Sequence, residues 1–133
     1  MRAQVSVDFI IASLVVMSLF SIIFGMYTAK SQGVGQVMSG LEAQRIGERI
    51  AWKMNDAARG GDGSKTEDFL PDAIWGEPYY VSIEGRWVEV VWNHGGSENR
   101  FSVPLMTNST KGGVFDPNRG IGIENKGGVV EVS

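Results

Sequence analysis

The sequence predicts an α+β chain: one long N-terminal helix followed by a small antiparallel β-sheet domain packed on the helix's outer half. Three observations carry that prediction. Residues 9–29 form an unbroken apolar run without a charge. Residues 30–59 contain no proline and repeat apolar side chains at helical spacing. From Tyr79 onward the apolar period drops to two, and turn residues recur between short stretches.

The apolar run holds about 21 residues, and at 1.5 Å per residue it reaches roughly 31 Å as a helix, the thickness of one bilayer core. Met1-Arg2-Ala3 and the short box Gln4-Val5-Ser6-Val7-Asp8 precede it. A carboxylate at the head of a helix meets the positive end of the macrodipole, which gives Asp8 a local reason to stand there. Arg2 holds the N-terminus on the cytoplasmic side, against the weaker pull of Lys30 on the far flank. An ordinary secretory signal fits less well, because its apolar region is usually about 7 to 15 residues. Its cleavage site also needs small residues one and three before the cut, and Tyr27 is too bulky beside Ala29.

Past Lys30 the helix continues through Val34, Val37, Met38, Leu41, Ile46, Ile50, Met54 and Ala57. Glu42 with Arg45, Lys53 with Asp56, and Asp56 with Arg59 put opposite charges three apart, which favours the helix modestly. Gly60-Gly61 ends it. One helix over residues 8–59 would run roughly 78 Å, a length that is stable only if something packs along it. Gly33, Gly35 and Gly40 each cost about 0.8–1 kcal/mol relative to Ala, so a bend or loosened turn is expected there. Ser39, Ala43, Gly47 and Ala51 form a small-residue stripe at four-residue spacing. Such a stripe admits another backbone closely, either a second helix or the chain's own sheet.

Residues 61–78 read as a polar linker loop. The stretch around Gly61 and Lys65 is not a phosphate loop, since Ser64 precedes Lys65, Arg59 takes the first glycine place and no strand leads in. Residues 79–133 read as the β-sheet head domain. Tyr79, Val81 and Ile83 alternate on one face, Gly85-Arg86 suits a two-residue hairpin turn, and residues 87–92 return. A loop over residues 93–97 leads to a third strand at 100–103. Strands at 120–124 and 129–132 follow around the turn-prone Asn125-Lys126-Gly127-Gly128. The expectation is a meander of four or five strands. A head of about 70 residues without disulfides is marginal alone, so the apolar face of residues 34–57 should complete its core.

A basic tip, a box with one acid and then a full-length apolar helix resemble the archaeal type IV pilin-like proteins with a class III signal peptide. Their pattern is Gln-x-Ser-x-Glu followed by Phe or Leu, and Gln4, Ser6, Asp8 and Phe9 fill those places. Asp8 stands where the family usually has Glu, and Ala3 rather than Gly precedes the cleavage point. The resemblance implies that a prepilin-type peptidase cuts between Ala3 and Gln4 and removes residues 1–3 as a leader. Residues 4–29 would then be the transmembrane and later filament-core helix, and residues 30–60 its soluble continuation. It implies a homo-oligomer, a helical filament extracted from the cytoplasmic membrane by an assembly platform and displayed at the cell surface. Asp8 would pair with the Gln4 amine of a neighbour, and Phe9, Phe20, Phe24, Ala43 and Gly47 would make assembly contacts. Asn108-Ser109-Thr110 is a glycosylation sequon, and the resemblance favours Asn108 as an acceptor.

Other classes find less to stand on. The net charge of −3 gives no general attraction to nucleic acid, and without cysteine there is no disulfide framework or thiolate metal site. Eighteen glycines, about twice the usual share, speak for turns between short strands. His94, the only histidine, sits in a glycine-rich turn with no ligand partner at metal spacing. Asp116-Pro117-Asn118-Arg119-Gly120 starts like a calcium loop, but Ile121 and Gly127 occupy the places that need Gly and Glu. No nucleophile, base and acid stand in a recognisable order, so no catalytic residues, metal or cofactor are expected. Core packing is the expected use of most of Trp75, Tyr79, Tyr80, Trp87, Trp92, Phe101 and Phe115, with an adhesive patch as the rival. Two alternatives to a major filament subunit stay open: a minor pilin or pseudopilin of the same machinery, and a permanently membrane-anchored binding module.

Overall fold

The computed structural model describes the backbone of residues 2–117 and 120–133; the side chains of residues 2–5 and of Gln32 lie outside that description. The architecture is α+β, as the periodicity predicts. Helix α1 covers Arg2–Gly60 and is followed, among the described residues, by eight strands. These are β1 (Lys65–Asp68), β2 (Tyr79–Glu84), β3 (Trp87–His94), β4 (Ser97–Pro104), β5 (Thr110–Lys111), β6 (Val114–Phe115), β7 (Ile121–Lys126) and β8 (Val129–Val132). The chain divides into two compact units, and the boundary falls between Gln36 and Val37.

The helix is unbroken through Gly33, Gly35 and Gly40, which corrects the expected weak point. Glycine's cost in a helix is entropic, and it decides the conformation only where nothing else orders the chain. Here apolar turns precede the glycines and a docked turn follows them, so extending the helix adds one backbone hydrogen bond per residue without a new nucleus. The unit boundary nevertheless lies inside this glycine-rich stretch. At the other end the expected stop holds: α1 finishes at Gly60 and Gly61 turns away at φ +79°.

The second unit, Val37–Ser133, contains two four-stranded sheets, ordered β1-β7-β8-β5 and β4-β3-β2-β6. One meander was expected; the difference comes from the chain between β4 and β7, which contributes a strand to each sheet. β6 adds to β2, and β5 adds to β8 as a parallel pair in an otherwise antiparallel set. The stretch expected as a linker holds β1, which pairs residue by residue with β7 from Lys65↔Glu124 to Asp68↔Ile121. Its charges do not oppose a strand, because Lys65 pairs with Glu124 at 3.1 Å. Asp68 is drawn between Arg49 Nε at 3.0 Å and Lys53 Nζ at 3.2 Å on the helix. β3 and β4 are longer than expected because Gly95-Gly96, both at positive φ, close the hairpin in two residues.

Ile46, Ile50, Met54 and Ala57 on the helix share one core with Val81, Ile83, Val88 and Val90 of the first hairpin and with Ile121, Ile123 and Val130 of the other sheet. Burying each of these larger side chains is worth about 1.5–3 kcal/mol, which completes a core the sheets could not close alone. Polar ties fix the register of helix on sheet. Trp92 Nε1 donates to Ser39 Oγ at 3.2 Å, and buried Asn125 donates from Nδ2 to the Ala57 carbonyl at 3.0 Å. Tyr79 donates its hydroxyl to the Pro71 carbonyl at 2.6 Å, and burial pushes its pKa up from 10.0 to about 12.

Candidate membrane and assembly surface

In the unit that ends at Gln36, the apolar helix turns its side chains outward on every side. Phe9, Phe20 and Phe24 are 72 %, 72 % and 68 % exposed, and the large side chains between them are all more than half exposed. The stretch is long and apolar enough to cross a membrane, and none of its most apolar window is buried within the chain. A core helix of a soluble protein passes the same length test but is mostly buried. This one is not, and its own unit holds no other element to cover it.

Two details suit a helix surrounded by apolar matter. Three of its hydroxyls are bonded back to the helix: Ser18 donates to the Leu14 carbonyl at 2.8 Å, Ser21 to Met17 at 2.9 Å and Thr28 to Gly25 at 3.0 Å. A hydroxyl bonded back to its own helix leaves no unsatisfied donor in a medium without water. At about 100° per residue, Phe9, Phe20, Phe24 and Tyr27 also fall within an arc of roughly 60°, so the run carries an aromatic stripe. Sequence reasoning missed both. Their signals were serine or threonine placed three or four residues after a helical carbonyl, and the aromatic spacings of eleven, four and three.

The residues of the processing box share the first turns of the helix. Ala3 and Gln4 are helical in their backbone, and their side chains lie outside the described residues. Ser6 and Asp8 are exposed. Because α1 already starts at Arg2, Asp8 lies beyond the first turn, which contains no acid. In the uncut chain it therefore does not cap the helix or face the strongest part of the macrodipole, which is confined to the first turn.

Ala43 and Gly47 are both buried within the second unit. Ala43 is 0 % exposed, and a Cβ built on Gly47 would lie 3.1 Å from Val103 Cγ2 and 3.4 Å from Val90 Cγ2. At Ser39 and Gly47 the small-residue stripe meets the chain's own β3–β4 hairpin, one of the two occupants that the spacing allowed. At Gly47 the side chains of β3 and β4 come so close to the helix that even one added carbon would crowd Val103.

Asn108 is exposed in a bend between β4 and β5, where a sequon asparagine is accessible. The sequon threonine, Thr110, donates its hydroxyl to the Gly85 carbonyl. His94 is half-buried at the end of β3, and among the described residues no three His, Cys, Asp or Glu side chains converge as metal ligands. Asn118 and Arg119 of the calcium-like run lie outside the described residues. In comparisons with known proteins, no family model, no curated protein and no solved structure matches this chain. The long apolar helix followed by a small β-sheet region is compatible with a pilin-like fold.

Proposed function

We propose that this chain is a structural subunit of an extracellular filament of the type IV pilus kind. The observation that carries the reading is the exposed apolar stretch around Phe9, Phe20 and Phe24, set against a head whose own core is closed. Such a surface is covered first by lipid and, after extraction, by copies of itself. The gain in the filament comes from replacing lipid contacts by van der Waals contacts between helices, with the aromatic stripe supplying the largest contact area. Loss of residues 1–3 by a prepilin-type peptidase would make Asp8 the fifth residue of a chain with a new amine at Gln4. The acid then lies just past the first turn of the shortened helix, and a neighbour's amine pairs it where a bare charge in an apolar core is costly.

The test is Asp8→Ala in cells that make the filament. The reading expects sheared surface filaments to fall at least about tenfold while the membrane-bound protein persists. Filaments of normal yield and order would remove Asp8 from assembly. A minor subunit of the same machinery differs only in abundance in that sheared fraction. One observation favours a second reading. Ala43 and Gly47 are taken up internally, so a contact expected between helices is not available. That reading is a head permanently anchored by an uncleaved helix, and it expects a monomer on extraction in detergent.

A further inference from the structure

The face of the β4-β3-β2-β6 sheet turned away from the helix carries a pocket of about 320 Å³ that the assembly reading leaves unused. Its walls follow from register. Tyr80 pairs with Val91, and the β2–β6 ladder that matches Val81 with Phe115 brings Asp116 to the same row. Two rows along, Asn93 pairs with Glu98, and Pro78 lies next to Tyr79 at the end of β2. All six residues line the pocket, together with the paired Tyr79 and Trp92, which otherwise belong to the core on the other face. The period of two puts the six on one face, opposite Val81, Val88 and Val90. Val91 is only 2 % exposed yet stands outside the main core cluster, so it is sealed as the floor of this pocket.

The chemistry of the walls selects a ligand class. The volume is at the small end of ligand pockets, roughly 300–1,000 Å³. Two carboxylates disfavour phosphate and other anions. Glu98 is already balanced by Arg100, whose Nη2 lies 2.9 Å from Glu98 Oε1, so the site does not demand a cation. What remains is an apolar floor and aromatic wall beside several hydrogen-bond acceptors and one amide. That combination suits a ring with apolar C–H faces and hydroxyl edges. We infer that this pocket binds a hydroxyl-rich ring of the pyranose sugar class, with Tyr80 against its face, Val91 sealed beneath, and Asn93, Glu98 and Asp116 taking its hydroxyls.

The test uses the full chain in a detergent without a sugar headgroup. Saturation-transfer NMR is run with methyl α-glucoside, methyl α-mannoside, methyl β-galactoside and N-acetylglucosamine, each at roughly 50 mM, well above a millimolar dissociation constant. At least one should receive transfer. Binding should weaken by at least about tenfold in Tyr80→Ala and in Asp116→Ala, with thermal midpoints within about 2 °C of the parent. Trp87→Ala is the control, at the far end of β3 and roughly 13 Å from Val91, and should bind normally. No transfer to any of the four sugars, or undiminished transfer in Tyr80→Ala, overturns the inference. So does binding of tetramethylammonium chloride with no sugar bound, which would make the ligand a cation.

Discussion

Two stretches of the same helix solve opposite problems. Between Phe9 and Tyr27 the side chains are large, apolar and exposed all round, and a Cβ added at Gly25 would meet nothing within 4 Å. Between Ser39 and Ala57 one face has shrunk to Ser39, Ala43, Gly47 and Ala51, and a Cβ added at Gly47 would meet Val103 at 3.1 Å. The difference teaches where each stretch finds its partner. Bulk on every side suits a partner outside the chain, whereas a small-residue face marks one the chain carries itself.

The largest effect that would break this comparison is Gly47→Leu. It should destabilise the head by about 3 kcal/mol in denaturant unfolding, because the sheet cannot retreat from the helix without opening the core. Asn125→Ala comes next. It removes the bond to the Ala57 carbonyl and the acceptor for Gly128 N–H, and should cost about 2 kcal/mol by the same measurement. Asp68→Asn should cost about 1 kcal/mol, since Arg49 and Lys53 are both partly solvated and lose only part of their pairing. Gly25→Ala reverses the sign: with open space and a helical φ it should stabilise the apolar helix by up to about 1 kcal/mol, read as helicity in micelles. A loss comparable to Gly47→Leu would mean that the apolar stretch is packed inside the chain after all.

The smallest effect is a pH dependence confined to the head. A hydrogen bond from Lys65 holds the Glu124 carboxyl below its ordinary 4.5, and one from Lys126 does the same for Glu131. A folded pKa below the unfolded one contributes stability that is present above about 4.5 and is lost as pH falls through the folded value. Both carboxylates are only partly covered and their lysine partners are exposed, so the thermal midpoint should fall only slightly on acidification, and less in high salt. For Tyr79 the sign is opposite. Its raised value means the unfolded chain ionises first, so stability should decline as pH climbs from 10 towards 12.

Much of this fold was legible because it obeys local rules. The β2–β3 hairpin follows from strict alternation around Gly85, whose φ of +57° suits the first place of a tight turn. The helix stop at Gly60 follows from the glycine pair. What escaped was non-local. Lys65-Thr66-Glu67-Asp68 has no apolar face, and it is a strand only because β7 and the helix cations lie beside it. β5 and β6 are two residues each, too short for any period, and the parallel β5–β8 pair joins residues separated by the whole of β7. The small-residue stripe was visible, but its occupant was not, because spacing alone does not tell a sheet from a second helix. Of the candidate site, the apolar run was plain in composition. The aromatic arc was hidden in an unequal spacing.

The most direct test of the central claim is the mass and N-terminal sequence of the protein taken from its native membrane and surface fractions. A filament subunit freed of its leader begins at Gln4, and the account predicts that start in both the sheared and the membrane-bound protein. A chain that still carries Arg2-Ala3 in the surface fraction would contradict it and leave an anchored head whose ligand, not its assembly, is the function.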